Sequence, residues 1–245
     1  MPIVLKKKYS QNFLIDKNIL IKISNLIPSE NLKILEIGPG NGKLTDKIIS
    51  KKPRKLTLVE IDKDLFQEIN NKYVNYSNIE LINEDILKFL IKEKYNLVIS
   101  NLPYNISSQI LAKLSLLKSL PNILILMFQK EFAMRLTDNK LNSINALVKC
   151  FYNVEKNFNV SKNCFRPIPK VNSTVLTFRK INKSLIKKKE IENFILFKRK
   201  LFSQKRKSLK KILKKYNLED RFDLSLRVEN LKLEEFIRIF RAINL

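Results

Sequence analysis

Apolar positions recur along the first two thirds of the chain in short blocks that alternate between two periods. Residues 18–27, NILIKISNLI, are spaced for a helix, and Asp16 stands where its side chain can cap the first turn. KILEI at 33–37 predicts a strand running into a glycine turn, and residues 43–50 predict the next helix. LTLVE at 56–60 predicts a second strand, followed by a helix to about Lys72. IELI at 79–82 and NLVIS at 96–100 predict two more strands. A helix over 107–118 and the wholly apolar ILILMF at 123–128, a buried fifth strand, complete the run. Strands that alternate with helices call for a mostly parallel sheet covered on both faces.

The rhythm changes after residue 143. LVKCFYNVE (147–155) and STVLTFRKI (173–181) predict two longer strands that close the sheet antiparallel at its edge, with a Pro-containing segment between them. From about 183 the chain predicts helices at 190–202, 205–216 and 231–243. Leu209, Ile212 and Leu213 form one apolar stripe there, opposed by lysines. A domain boundary is placed near 182. The fold class expected is therefore α/β, a Rossmann-like sheet followed by a small all-helical C-terminal domain.

Charge sharpens this picture. The chain has 48 basic and 23 acidic residues, a formal charge of +25. Residues 183–215 hold fourteen Lys and Arg against two Glu, about half of that excess. Lysines outnumber arginines 38 to 10, so compositional drift accounts for part of the total but not for its concentration. A cationic helical segment favours a polyanion. There is no histidine, which excludes His acid–base catalysis, and with two cysteines, Cys150 and Cys164, a Cys/His zinc site is excluded as well. Both cysteines suit small buried positions better than a disulfide. No apolar run reaches 18 residues and no signal peptide is read, so a soluble cytoplasmic protein is expected.

All three glycines lie in EIGPGNG, as Gly38, Gly40 and Gly42 on the first strand-to-helix turn. Such a turn lets an adenosine-containing cofactor approach the backbone. Glu60 ends the second strand, where an acid can accept from both ribose hydroxyls. Asp85 follows the third strand. It can accept from an adenine amine, cap the turn ahead of Ile86, or do both. NAD and S-adenosylmethionine (SAM) sites share these devices. The spacing G-x-G-x-G, in place of G-x-G-x-x-G, favours SAM.

NLPY, Asn101–Tyr104, follows the fourth strand at the sheet's carboxyl edge, where ligands bind. Its chemistry suits an adenine amine, whose lone pair is delocalised into the ring. The Asn101 side-chain oxygen and the Leu102 carbonyl can each accept one N6 hydrogen and turn the lone pair toward a methyl donor. Pro103 stiffens the turn, and Tyr104 offers a face for a flipped base. The sulfonium is already activated, so positioning can carry most of the catalysis without a general base.

With these pieces in order, the chain resembles the small-subunit ribosomal RNA adenine dimethyltransferase family, the KsgA/Dim1 group. The matching segments are SQNFL (10–14), EIGPGNGKLT (36–45), Glu60, EDI (84–86) and NLPYNIS (101–107). They continue with FQKEFAMRL (128–136), FRPIPKVNS (165–173), LFSQKRKSLK (201–210) and RVENLKLEEF (227–236). The resemblance implies transfer of methyl groups from SAM to N6 of two adjacent adenines in the 3′-terminal stem-loop of small-subunit (16S) rRNA. It implies that Gln11, Asn12 and Leu14 line the cofactor entrance, that Gly38 and Gly40 touch the methionine part, and that Glu60 and Asp85 hold ribose and adenine. Asn101, Leu102, Pro103 and Tyr104 would hold the target, Asn101 also bordering the cofactor. Phe165 would stack on the base from the other side, although an aromatic before Pro167 and Pro169 equally suits a core.

Residues 1–182 would be the SAM-binding catalytic domain and 183–245 the basic rRNA-binding domain. The partners implied are small-subunit rRNA and the immature small subunit, with no membrane, no metal and a monomeric state. Ser10 departs from the usual Gly of this group and matches 23S rRNA adenine methyltransferases of the macrolide-resistance type, which stay open as an alternative. A catalytically silent assembly factor, an NAD oxidoreductase and a DNA adenine methyltransferase are further, weaker readings.

Overall fold

The computed structural model describes residues 12–216, 218 and 221–243. Gln11 and Ser10 lie outside the described residues. The chain divides into two compact units. One contains the chain up to Ala133 together with Val154–Lys180, and the other Met134–Asn153 together with Ile181–Leu245. The sequence suggests a single crossing near 182, whereas the chain also passes to the second unit and back between 133 and 154.

The first unit is built on strands β1 (Phe13–Leu14), β2 (Lys33–Ile37), β3 (Lys55–Glu60), β4 (Ile79–Asn83), β5 (Leu97–Asn101) and β6 (Ile123–Gln129). It continues with β7 (Tyr152–Val160), β8 (Phe165–Arg166) and β9 (Ser173–Lys180). Seven of them form one sheet in the order β4-β3-β2-β5-β6-β9-β7. β2 through β6 pair in parallel and β9 joins β6 antiparallel, as the alternating pattern implies. Leu35, Leu56, Leu58, Leu97, Val98 and Leu124 are wholly buried, which is why these strands read as nearly continuous apolar runs. Helix α1 (Lys17–Ser24) precedes β2, and α2 (Lys43–Ile49), α3 (Lys63–Tyr73) and α4 (Ser107–Ser115) connect β2 to β3, β3 to β4 and β5 to β6. The Asp16 carboxylate accepts from the Ile19 amide (2.9 Å), so the expected cap is present.

The edge of the sheet departs from expectation. The LVKCFYNVE segment is not one strand. Helix α6 (Ser143–Val148) takes its first two residues, 149–151 form a turn, and β7 begins only at Tyr152. Asn142 and Asn145 form a reciprocal cap at the helix start, and Ala146, Leu147 and Val148 are all buried. A short helix without a polar face shows no helical period, so local pattern cannot separate it from a strand. Helix α5 (Lys130–Thr137) is a further element the sequence expectation lacks, although Phe132, Ala133 and Leu136 stand at helical spacing on its covered face.

The second unit holds α7 (Ile191–Ser203), α8 (Leu209–Leu213) and α9 (Leu233–Ile243), and α7 and α9 pack through a cluster of aromatic rings. Phe194, Phe197, Phe236 and Phe240 sit with centroids 5.0–5.9 Å apart. Leu209, Ile212 and Leu213 are buried, while Lys205, Arg206, Lys207, Lys210, Lys211, Lys214 and Lys215 are exposed. α8 is shorter than the 205–216 helix expected, because residues 204–207 form a turn before it. The two cysteines are free thiols. No helix among the described residues is long and apolar enough to cross a membrane.

Candidate active site

The carboxyl ends of β2, β3 and β5 and the segment after β4 converge on one cleft that is partly open to solvent. Asn12, Leu14, Gly38, Gly40, Glu60, Asp85, Asn101, Leu102, Pro103 and Tyr104 all line it. Residues singled out from five separate segments therefore share one space.

The glycine turn forms the floor. Gly38 and Gly40 have φ of +63° and +58°, a backbone region unfavourable to side chains. A Cβ on Gly40 would stand 2.9 Å from the Phe13 ring, so that ring packs directly on the turn. Glu60 is 5% exposed, and its two carboxylate oxygens accept from the Gly40 amide (3.2 Å) and the Asp62 amide (2.9 Å). Burial pushes its pKa up, while these backbone donors pull it down. Glu60 thus braces the glycine turn as well as facing the cleft. Asp85 also has a structural duty, accepting from the Leu87 amide at 2.9 Å.

The NLPY segment forms the opposite rim. Asn101 Nδ2 donates to the Asn12 carbonyl oxygen (3.0 Å). With the amide nitrogen tied to backbone, the amide plane is set and the side-chain oxygen takes the other side. The Tyr104 and Ser173 hydroxyls share a hydrogen bond of 2.6 Å, which fixes the ring against the first residue of β9. Burial raises the Tyr104 pKa, so the phenol stays neutral.

Phe165 is placed differently from the stacking role the resemblance implies. It is wholly buried and packs in the core with Leu14 and Val160, and it does not line the cleft. The cause is strand pairing. β1 and β8 form a two-stranded antiparallel ribbon in which Phe165 is paired with Leu14. In this arrangement Phe165 supports the cleft wall from behind.

Phe13 and Glu36 also line the cleft. Glu36 lies in β2, 1% exposed, and accepts from the Thr45 hydroxyl at 2.7 Å. Burial raises its pKa to about 8, opposed by the Thr45 hydrogen bond and assisted by the nearby Asp46 and Glu60 charges. Its mark in the sequence is an acid inside the apolar strand KILEI. Among the described residues no cluster of three or more His, Cys, Asp or Glu could hold a metal.

The lining fits an adenosine-containing cofactor, with Glu60 and Asp85 as acceptors at separate positions and Ile61, Leu65 and Ile86 as apolar walls. Comparison with known proteins agrees with this chemistry. A family model described as ribosomal RNA adenine dimethylase matches residues 4–245. A ribosomal RNA small subunit methyltransferase A from Mycoplasmopsis pulmonis is 39% identical, over 96% of this chain and 97% of that protein. The protein of the same name from Pelagibacter ubique is 37% identical over 96% and 95%. Among solved structures, a dimethyladenosine transferase from Plasmodium falciparum superposes with a TM-score of 0.85 at 28% identity, covering 95% of this chain and 97% of that one. The 23S rRNA methyltransferase ErmE superposes with a TM-score of 0.75 at 22% identity, over 95% and 100%, and shares the fold.

Proposed function

The chain belongs to the ribosomal RNA adenine dimethylase family, and from that premise we propose that it dimethylates N6 of two adjacent adenines in the 3′-terminal stem-loop of small-subunit rRNA. Proteins of this family are SAM-dependent methyltransferases that modify rRNA during ribosome biogenesis. The small-subunit target rests on the relatives named small subunit methyltransferases, and the adenine-N6 chemistry on one observation above the others. The NLPY rim and the glycine, Glu60 and Asp85 wall border the same cleft, so an adenine amine at Asn101 and a cofactor on the glycine turn would meet.

SAM, when bound, supplies an activated methyl group on its sulfonium. The chain's own residues position the acceptor. Asn101 presents its side-chain oxygen because Asn12 holds its amide nitrogen. That oxygen and the Leu102 carbonyl accept hydrogen bonds from the N6 amine and leave its lone pair directed at the methyl. Tyr104, held by Ser173, offers its ring to the flipped base. The N6 proton is lost to water after transfer. The exposed lysines between 205 and 215 contact rRNA phosphates, and the immature small subunit is the substrate. We place the protein in the cytoplasm, acting as a monomer.

The test is methyl transfer from labelled SAM to unmethylated small- and large-subunit ribosomal precursors, with modified nucleotides mapped. Dimethyladenosine in the small-subunit 3′ stem-loop is expected. Label confined to large-subunit RNA would replace this reading with a 23S-type activity. Tight RNA binding without label would point to an assembly factor.

A further inference from the structure

Lys113 lies in the last turn of α4, half-buried, with its ammonium turned toward the segment that follows β4. It donates to three backbone carbonyls of that segment: Ile86 (2.7 Å), Leu87 (3.0 Å) and Phe89 (2.6 Å). An ammonium has three N–H donors, and all three are spent on one turn. Residues 86–89 form a turn closed by the Lys88 and Phe89 amides, which both donate to the Asp85 carbonyl at 2.8 Å, while the Ile86, Leu87 and Phe89 carbonyls accept from the Lys113 ammonium. The same turn carries Asp85 and Ile86 on the cleft wall, with Asp85 accepting from the Leu87 amide (2.9 Å). Its backbone is thus gripped from both sides. Asp85 holds an amide from the cleft side, and Lys113 holds carbonyls from the helix side. α4 begins three residues after Tyr104, so the grip ties the turn to the helix that follows the acceptor rim.

We propose that Lys113 is a positioning residue for the adenine end of the cofactor subsite, setting the 85–89 turn so that Asp85 reads the 6-amino group. This rests on the reading of Asp85 as the adenine acceptor. Lys113 touches neither cofactor nor target. Its effect is to hold Asp85 ready in the unliganded protein, so that the ordering is not left to the binding step. Burial disfavours the charge on Lys113, and the neighbouring Asp85 and Glu84 charges favour it.

The experiment is titration calorimetry of the full chain with S-adenosylhomocysteine and with S-inosylhomocysteine, which has an oxo group in place of the 6-amino group. The wild type should prefer the adenine ligand at least tenfold. Lys113→Met keeps the aliphatic stem and removes the donors. It should weaken S-adenosylhomocysteine about tenfold, change S-inosylhomocysteine less than threefold, and so erase the preference. Lys113→Gln should fall between. The ratio of two affinities is independent of how much of a preparation is folded, so partial misfolding does not mimic the result. Equal weakening of both ligands would make Lys113 a general fold staple and overturn the inference, as would an unchanged preference. Asp85→Ala separates the two claims. If it keeps the preference, the Asp85 reading fails. If it loses the preference while Lys113→Met keeps it, only the Lys113 inference fails.

Discussion

Glu36 makes a quantitative prediction about stability. Its carboxyl is 1% exposed and its pKa stands at about 8, against an ordinary 4.5. In the unfolded chain it ionises near the ordinary value, whereas in the folded protein it keeps its proton until pH approaches 8. Between those values the unfolded state binds fewer protons than the native one. Stability contributed by this group is therefore full below the unfolded pKa and is lost as pH rises through the folded one. At about 1.4 kcal/mol per pH unit, the interval sets a ceiling of about 5 kcal/mol. Water drawn into the open cleft on ionisation lowers this to about 2–5 kcal/mol. Glu36→Gln keeps the shape and the acceptor for Thr45 but cannot ionise. Urea unfolding without cofactor at pH 5, 7 and 9 should show wild type and variant diverging by that amount, with the variant more stable at pH 9. Parallel pH profiles for the two proteins would show that Glu36 is already ionised at neutral pH and would refute the argument.

Three other predictions follow from the site and the charged surface. Asn101→Ala should lower methyl transfer on the order of 100-fold or more while SAM binding survives; near-normal turnover would remove Asn101 from the reaction. Gly40→Ala forces a side chain into a left-handed position, at about 1–2 kcal/mol, and drives it into the Phe13 ring. Equilibrium dialysis should find SAM binding about tenfold weaker, and unchanged affinity would mean the Phe13 contact with the turn is immaterial. Binding of rRNA should weaken steeply with added salt, because lysines neutralise phosphates and release counterions. A flat profile between low and physiological ionic strength would show that the exposed lysines of 205–215 are not the main contact.

Local chemistry in the sequence carried much of this architecture. Strand and helix alternation from Lys33 to Gln129 needs only apolar period and turn residues, because each crossover unit buries its own faces. The glycine turn, Glu60, Asp85 and NLPY were legible for a related reason. A parallel sheet sends every strand's carboxyl end to one edge, so strand order in the sequence already implies a shared site. What stayed hidden depends on contacts between distant segments. The Asn101 amide is oriented by a carbonyl 89 residues away in sequence. Phe165 is buried because β8 pairs with β1, a pairing that no local pattern encodes. The segment 143–160 divides into helix and strand through an asparagine cap and all-round burial, which make its apolar run ambiguous on its own. Sequence period determines which face of an element is apolar. Only the tertiary structure decides which distant group meets that face, because that choice is made by the packing of the whole chain at once.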